Sequence, residues 1–223
     1  MIKRELFCTL FCLFFCFGFA QKTANKQIEI IDKPIVFDSN RTALSLEYLR
    51  NRHGLNQSSP VIDPKIIVLH YTSGGTLNSN FNYFNNSEIE NARTLNKKQS
   101  KLNVSSHFLV DRDGKIYRLM DETLFARHTI GLNYCAIGIE NIGSKKNPLT
   151  PEQVQANIEL VRYLSDKYDI KYLIGHSEYG KFRNSKLWKE TNPDYFTYKD
   201  DPGDDFMKKV RAGVKDLNLK KEP

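Results

Sequence analysis

A single mixed β-sheet flanked by helices is the α/β fold class this sequence predicts, and three observations predict it. Short apolar runs of strand length lie near 66–70, 107–111, 115–119, 135–140 and 171–175. Between and after them stand helical patterns, the clearest running from Thr150 to about Lys167. The 223 residues are 40% hydrophobic and 26% charged. That is ordinary globular composition, which excludes collagen-like, disordered and multi-pass membrane classes.

The first twenty residues form a separate object. Lys3 and Arg4 precede an apolar run from Leu6 to Phe15, and Gly18-Phe19-Ala20 puts small residues where a cleavage site before Gln21 needs them. This is the layout of a secretory signal peptide over 1–20. The stretch from Leu6 to Ala20 falls short of the roughly 20 apolar residues a spanning helix requires. The expectation is therefore an exported protein, periplasmic or secreted, with no stable membrane insertion after cleavage. Cys8, Cys12 and Cys16 leave with the signal, and Cys135 alone cannot form an internal disulfide. Its apolar neighbours mark it as a buried, inert thiol. The net charge of +7 suits an anionic cell-wall polymer better than nucleic acid at such an address.

Along the remaining chain, 21–61 reads as an N-terminal extension with one helix, 62–217 as the main domain and 218–223 as a tail. Residues 21–36 look like an extended lead-in. A helix over Asn40–Asn51 is capped by Asn40, presents Leu44, Leu46, Tyr48 and Leu49, and stops at His53-Gly54, where His53 serves as a C-terminal cation. Ile66-Ile67-Val68-Leu69 is a strand buried on both faces. The Asn-rich segment 76–101 lacks strong periodicity and holds at most part of a helix. Phe108-Leu109-Val110 and Ile116-Tyr117-Arg118-Leu119 flank the turn Asp111-Arg112-Asp113-Gly114, which makes a hairpin. Cys135–Glu140 is a further buried strand, with Gly138 leaving room for a close neighbour. Thr150, Pro151 and Gln153 mark a helix start with a capping box. Lys171–Gly175 is a strand ending at His176. A last helix from Asp204 or Asp205 shows Phe206, Val210, Val214 and Leu217 on one face. Coiled-coil heptads and long apolar edges are missing from the sequence, so a monomer is expected.

Three ionisable residues close or follow these strands: His70, Glu140 and His176. Open α/β sheets bind ligands at strand carboxyl ends. Two histidines there, joined by one carboxylate, would leave the open fourth position that catalytic zinc requires. Spacing leaves Asp194, Asp200, Asp201, Asp204 and Asp205 as candidates. Asp201 is preferred because Pro202 biases it toward an extended backbone.

Six blocks occur in order: Ile66-Ile67-Val68-Leu69-His70-Tyr71-Thr72, Val104-Ser105-Ser106-His107-Phe108, Asp113-Gly114-Lys115-Ile116-Tyr117, Ala136-Ile137-Gly138-Ile139-Glu140, Gly175-His176-Ser177 and Lys199-Asp200-Asp201-Pro202-Gly203. The series resembles the zinc-dependent type 2 N-acetylmuramoyl-L-alanine amidases, related to peptidoglycan recognition proteins and phage lysozyme amidases, over about 62–215. The resemblance implies Zn2+ held by His70, His176 and Asp201. It also implies that Glu140 acts on the catalytic water and that Lys199 supports the oxyanion. The substrate would be peptidoglycan, cut between N-acetylmuramic acid and L-alanine; the alternative is a non-catalytic peptidoglycan binder on the same fold. Tyr71, His128 and Asn133 are candidate substrate contacts. His107 reads as structural; Glu178 could orient His176, but the preferred reading is a surface residue. One departure stands out: 25 positions separate His176 from Asp201, where many relatives have about ten or fewer. The extra segment, Tyr179 to Tyr198, is rich in aromatic and basic residues.

Overall fold

The computed structural model describes residues 28–223, so the expected signal peptide lies outside the described residues. Six strands form one sheet: β1 (Ile30–Asp32), β2 (Ile66–Tyr71), β3 (Phe108–Val110), β4 (Ile116–Arg118), β5 (Ala136–Asn141) and β6 (Tyr172–Gly175). Their spatial order is β1-β4-β3-β5-β2-β6. Only the β3–β4 hairpin is antiparallel; β5, β2 and β6 run parallel side by side, as do β1 with β4 and β3 with β5. Five helices accompany the sheet: α1 (Ser39–His53), α2 (Leu77–Asn85), α3 (Thr94–Gln99), α4 (Pro151–Lys167) and α5 (Asp204–Gly213).

Strand periodicity divides the core. On β2, Ile67 and Leu69 join Ile137 and Ile139 of β5 beneath α4 and α5, with Leu160, Leu164 and Val210 completing that layer. Ile66, Val68 and Ala136 face the other way, against Tyr179, Phe182 and Tyr195. Because successive side chains alternate between faces, His70 points with Val68, and Glu140 points with Ala136 and Gly138. The register pairs His70 directly with Glu140. The site therefore opens on the face opposite α4 and α5.

Helix α4 begins and ends as its sequence specifies. Thr150 accepts from the Gln153 amide, Gln153 reciprocates, and Pro151 occupies the first turn. Helix α1 is capped two residues earlier than expected. The Asp38 side chain, not Asn40, accepts from the Arg41 amide at 2.8 Å. Gly54 closes this helix in the left-handed region at φ 65°, where a residue with a Cβ would be strained.

Four further expectations are corrected. The lead-in contains β1, an edge strand whose partner β4 is distant in sequence. The segment 76–101 supplies two helices, α2 and α3, rather than part of one. His53 is not a helix-end cation: it is buried, burial depresses its pKa to about 4, and Nδ1 donates to the Lys189 carbonyl at 3.2 Å. Glu178 is not a free surface residue. It accepts from the Gly175 amide at 2.8 Å and pairs with Arg211 of α5. Cys135 is buried as expected, and burial pushes its thiol up to about 12.

Removing the α1 cap in Asp38→Ala should lower stability by about 0.5–2 kcal/mol with the fold retained. In urea this appears as a lower midpoint with an unchanged slope.

Candidate metal centre and active site

Three parallel strands bring the polar groups together at their carboxyl ends. His70 is the fifth residue of β2, Glu140 the fifth of β5, and His176 follows Gly175, the end of β6, which pairs with Leu69. The loop before α5 adds Asp201, anchored by a hydrogen bond from the Ser177 amide to its carbonyl at 2.9 Å.

The three expected donors converge. His70 Nδ1 lies 3.0 Å from His176 Nδ1 and 3.2 Å from Asp201 Oδ2, and His176 Nδ1 lies 3.1 Å from Asp201 Oδ2. All three residues are buried. Donors on one tetrahedral zinc with bonds of about 2.0–2.2 Å must stand at roughly such separations. Two imidazoles and one carboxylate are also a donor set that zinc accepts, so the residues present fit the ion. The charge state fits as well. Burial alone would raise the Asp201 pKa, but the facing rings of His176 and His70 outweigh it and hold the carboxyl well below its usual range. Burial drives His176 down to about 4, so its ring is neutral near pH 7.

Glu140 stands beside this cluster. Its Oε2 is shut off from solvent and has no hydrogen-bond partner. Burial pushes its pKa up to about 7, with Asp201 adding to the rise and His70 and Lys199 opposing it. Lys199 is exposed and lines the same cleft of about 160 Å³, together with His70, Glu140, His176 and Asp201. A second cleft of about 750 Å³ adjoins it and shares Tyr71 and Lys199.

Tyr71, His128 and Asn133 line the same cleft, and each also has partners within the protein. Tyr71 donates its hydroxyl to Asp200 at 2.7 Å, steadying the loop that carries Lys199 and Asp201. Asn133 is buried, and its Oδ1 accepts from the amides of His128 and Thr129 at 2.8 and 2.6 Å. It shapes the turn that presents His128. His128 packs over Gly138, where a Cβ would meet ring atoms at 2.7–2.9 Å. That is the close neighbour the glycine makes room for. His107 commits both nitrogens to backbone: Nε2 donates to the Leu124 carbonyl at 2.8 Å and Nδ1 accepts from the Gly138 amide at 3.0 Å.

Two features were missed from sequence. One is the brace of Glu178 and Arg211 at the end of β6, just ahead of His176; its only sequence signal was proximity to that histidine. The other is the packing of segment 179–198. Tyr179 stacks between Phe196 and Trp188 at 5.1 and 5.9 Å. Glu190 pairs with Arg52 of α1, and the Thr191 amide donates to the Arg52 carbonyl at 3.0 Å. Tyr195 and Thr197 thereby become part of the cleft wall.

Fold and site together define an α/β protein with a His-His-Asp cluster at the carboxyl ends of parallel strands. The chain belongs to the N-acetylmuramoyl-L-alanine amidase family, which matches residues 59–204. Among curated proteins it is similar to the endolysin of Escherichia phage T7, with 31% identity over 96 residues, 40% of this chain and 64% of the phage protein. The endolysin of Klebsiella phage KP32 is 30% identical over the same shares of each chain. The matched region thus spans less than two thirds of those relatives. Among solved structures, the N-acetylmuramoyl-L-alanine amidase LysC from Clostridium intestinale URNW superposes with a TM-score of 0.51 at 21% identity, covering 86% of this chain and 99% of that one. The endolysin amidase LysCS from the same organism gives 0.53 at 21% identity, covering 86% and 97%. These superpositions place the chain in the same fold. Among the described residues, no helix is long and apolar enough to cross a membrane.

The buried groups set a pH dependence for the metal-free protein. His53, His107 and His176 each fall to about 4, and His128 is held well below its usual value, all chiefly by burial. Between about pH 4 and 6.5 the unfolded chain binds protons that these folded rings refuse, so stability falls on acidification. Glu140 acts in the opposite sense, because its raised pKa makes the folded state the better proton binder between about 4.5 and 7. Urea unfolding across this range should show stability lost as pH drops, and Glu140→Gln should steepen that loss.

Proposed function

We propose that this chain hydrolyses the amide between the lactyl group of N-acetylmuramic acid and L-alanine in peptidoglycan, with Zn2+ held by His70, His176 and Asp201. The observation that carries the reading is the convergence of three buried donors within 3.0–3.2 Å of one another, next to a carboxylate with an orphaned oxygen. Family membership supports the same reaction.

When bound, zinc supplies Lewis acidity, lowering the pKa of a coordinated water toward about 7 and polarising a carbonyl. The chain's own groups do the rest. Glu140 Oε2 takes a proton from the attacking water as that water adds to the lactyl carbonyl. The same carboxyl then delivers the proton to the departing amine of L-alanine. Lys199, at the cleft mouth, offers its ammonium to the developing oxyanion. Tyr71 holds Asp200, which keeps Lys199 and Asp201 in place. The adjoining cleft gives an extended polymer room beside the site.

Export completes the proposal: residues 1–20 are a cleaved signal, and the mature monomer works in the periplasm or outside the cell. Its net charge, +7 for the whole chain and +6 once Lys3, Arg4 and Glu5 leave with the signal, draws it to anionic wall polymer. A site built only to bind would have no use for the buried, unpartnered Oε2 of Glu140, which favours catalysis over the non-catalytic reading.

Purified sacculi carrying a covalent dye test this, with mass spectrometry of the released muropeptides to identify the bond. Wild-type protein should release free stem peptides, and a chelator should stop it. Glu140→Gln should lose about 10²–10⁴-fold in kcat while retaining one equivalent of zinc. His70→Ala should lose the metal itself, read by elemental analysis. Undiminished turnover by Glu140→Gln removes that residue from the role assigned to it.

A further inference from the structure

The polar contacts of His128 settle its tautomer. Its Nε2 lies 3.1 Å from the Ala136 carbonyl, which can only accept, so Nε2 carries the proton. In the neutral ring Nδ1 is then an acceptor. Two groups approach that nitrogen: His70 Nε2 at 3.1 Å and the Thr129 hydroxyl at 2.9 Å. The Thr129 hydroxyl can also donate there, but an unprotonated His70 Nε2 would set two lone pairs against each other at 3.1 Å, so the contact favours the proton on His70 Nε2. Neutral His70 must then carry its lone pair on Nδ1, the atom facing His176 and Asp201. The two rings meet edge to face, 89° apart, with centroids 5.2 Å from each other.

Several features build this arrangement. Gly138 gives the His128 ring its space. Asn133 fixes the backbone on which the ring sits, accepting from the His128 amide. The Ala136 carbonyl belongs to β5, the strand that also carries Glu140. One rigid strand therefore locates both the proposed base and the anchor of this relay.

We propose that His128 is a positioning residue for the metal centre: it locks the tautomer and orientation of His70 so that Nδ1 presents its lone pair to the ion. This rests on the assignment of His70 as a metal ligand. Partners that orient metal-bound histidines typically govern metal affinity by about 10–100-fold.

The test measures zinc affinity by chelator competition in wild type, His128→Phe and His128→Asn. Phe keeps ring bulk and removes the acceptor; Asn restores an acceptor oxygen near the position of Nδ1. The proposal expects about 10–100-fold weaker binding in His128→Phe and substantial recovery in His128→Asn, with the visible spectrum of the Co2+-substituted protein changing and recovering in parallel. A role confined to packing would be served by Phe and not by Asn. If wild type binds zinc tightly and His128→Phe binds it equally well, this proposal fails while the metal site stands. If wild type binds no zinc, both fail. Long-range 15N–1H correlation spectra of zinc-loaded wild type decide the matter without a variant. A proton on His128 Nε2 and on His70 Nε2 supports the relay, and a proton on His128 Nδ1 overturns it.

Discussion

Everything at the site depends on three adjacent parallel strands, β5, β2 and β6, ending in register. Main-chain ladders set His70 beside Glu140 and bring Gly175 beside Leu69, so His176 emerges next to His70. Only Asp201 arrives from a loop, and that loop is tied back by the Ser177 amide and by Tyr71 through Asp200. A cluster of facing nitrogens and a carboxylate, taken out of water, is costly to assemble. Here the cost falls on sheet hydrogen bonds and apolar layers on both faces, which makes the donors' approach a property of the scaffold.

The same burial gives the neighbouring carboxylate a different character. Asp201 faces two imidazoles and stays ionised; Glu140, one strand away, has an oxygen with no partner and a pKa pushed to about 7. Two acidic side chains in one cleft are thus driven apart in proton affinity by what touches them. That separation is the usual mark of a holding role for one and a proton-transfer role for the other.

Much of this was legible in the sequence because the signals are local. The runs that became β2, β5 and β6, the hairpin turn at Asp111–Gly114 and the capping box of α4 are each decided within a few residues. His70, His176 and Asp201 were legible as a set through the ordered blocks, and the structure brings those three together. What escaped was non-local. β1 is three residues long, and only its distant partner β4 makes it a strand. Asp38, Ser39 and Asn40 can all cap a helix, and local sequence does not rank them. His53 and Glu178 were misjudged because the groups that engage them, the Lys189 carbonyl and Arg211, lie far along the chain. The tautomer of His128 was not legible for a subtler reason. A histidine in a loop signals an available imidazole, but which nitrogen carries the proton is set by a carbonyl on β5.

X-ray absorption at the zinc edge of the purified, zinc-loaded protein tests the central claim most directly. The account predicts one ion per chain, a first shell of nitrogen and oxygen at about 2.0–2.1 Å without sulfur, and the multiple-scattering pattern of two imidazoles. Failure to take up stoichiometric zinc, or a first shell lacking imidazole, would contradict it.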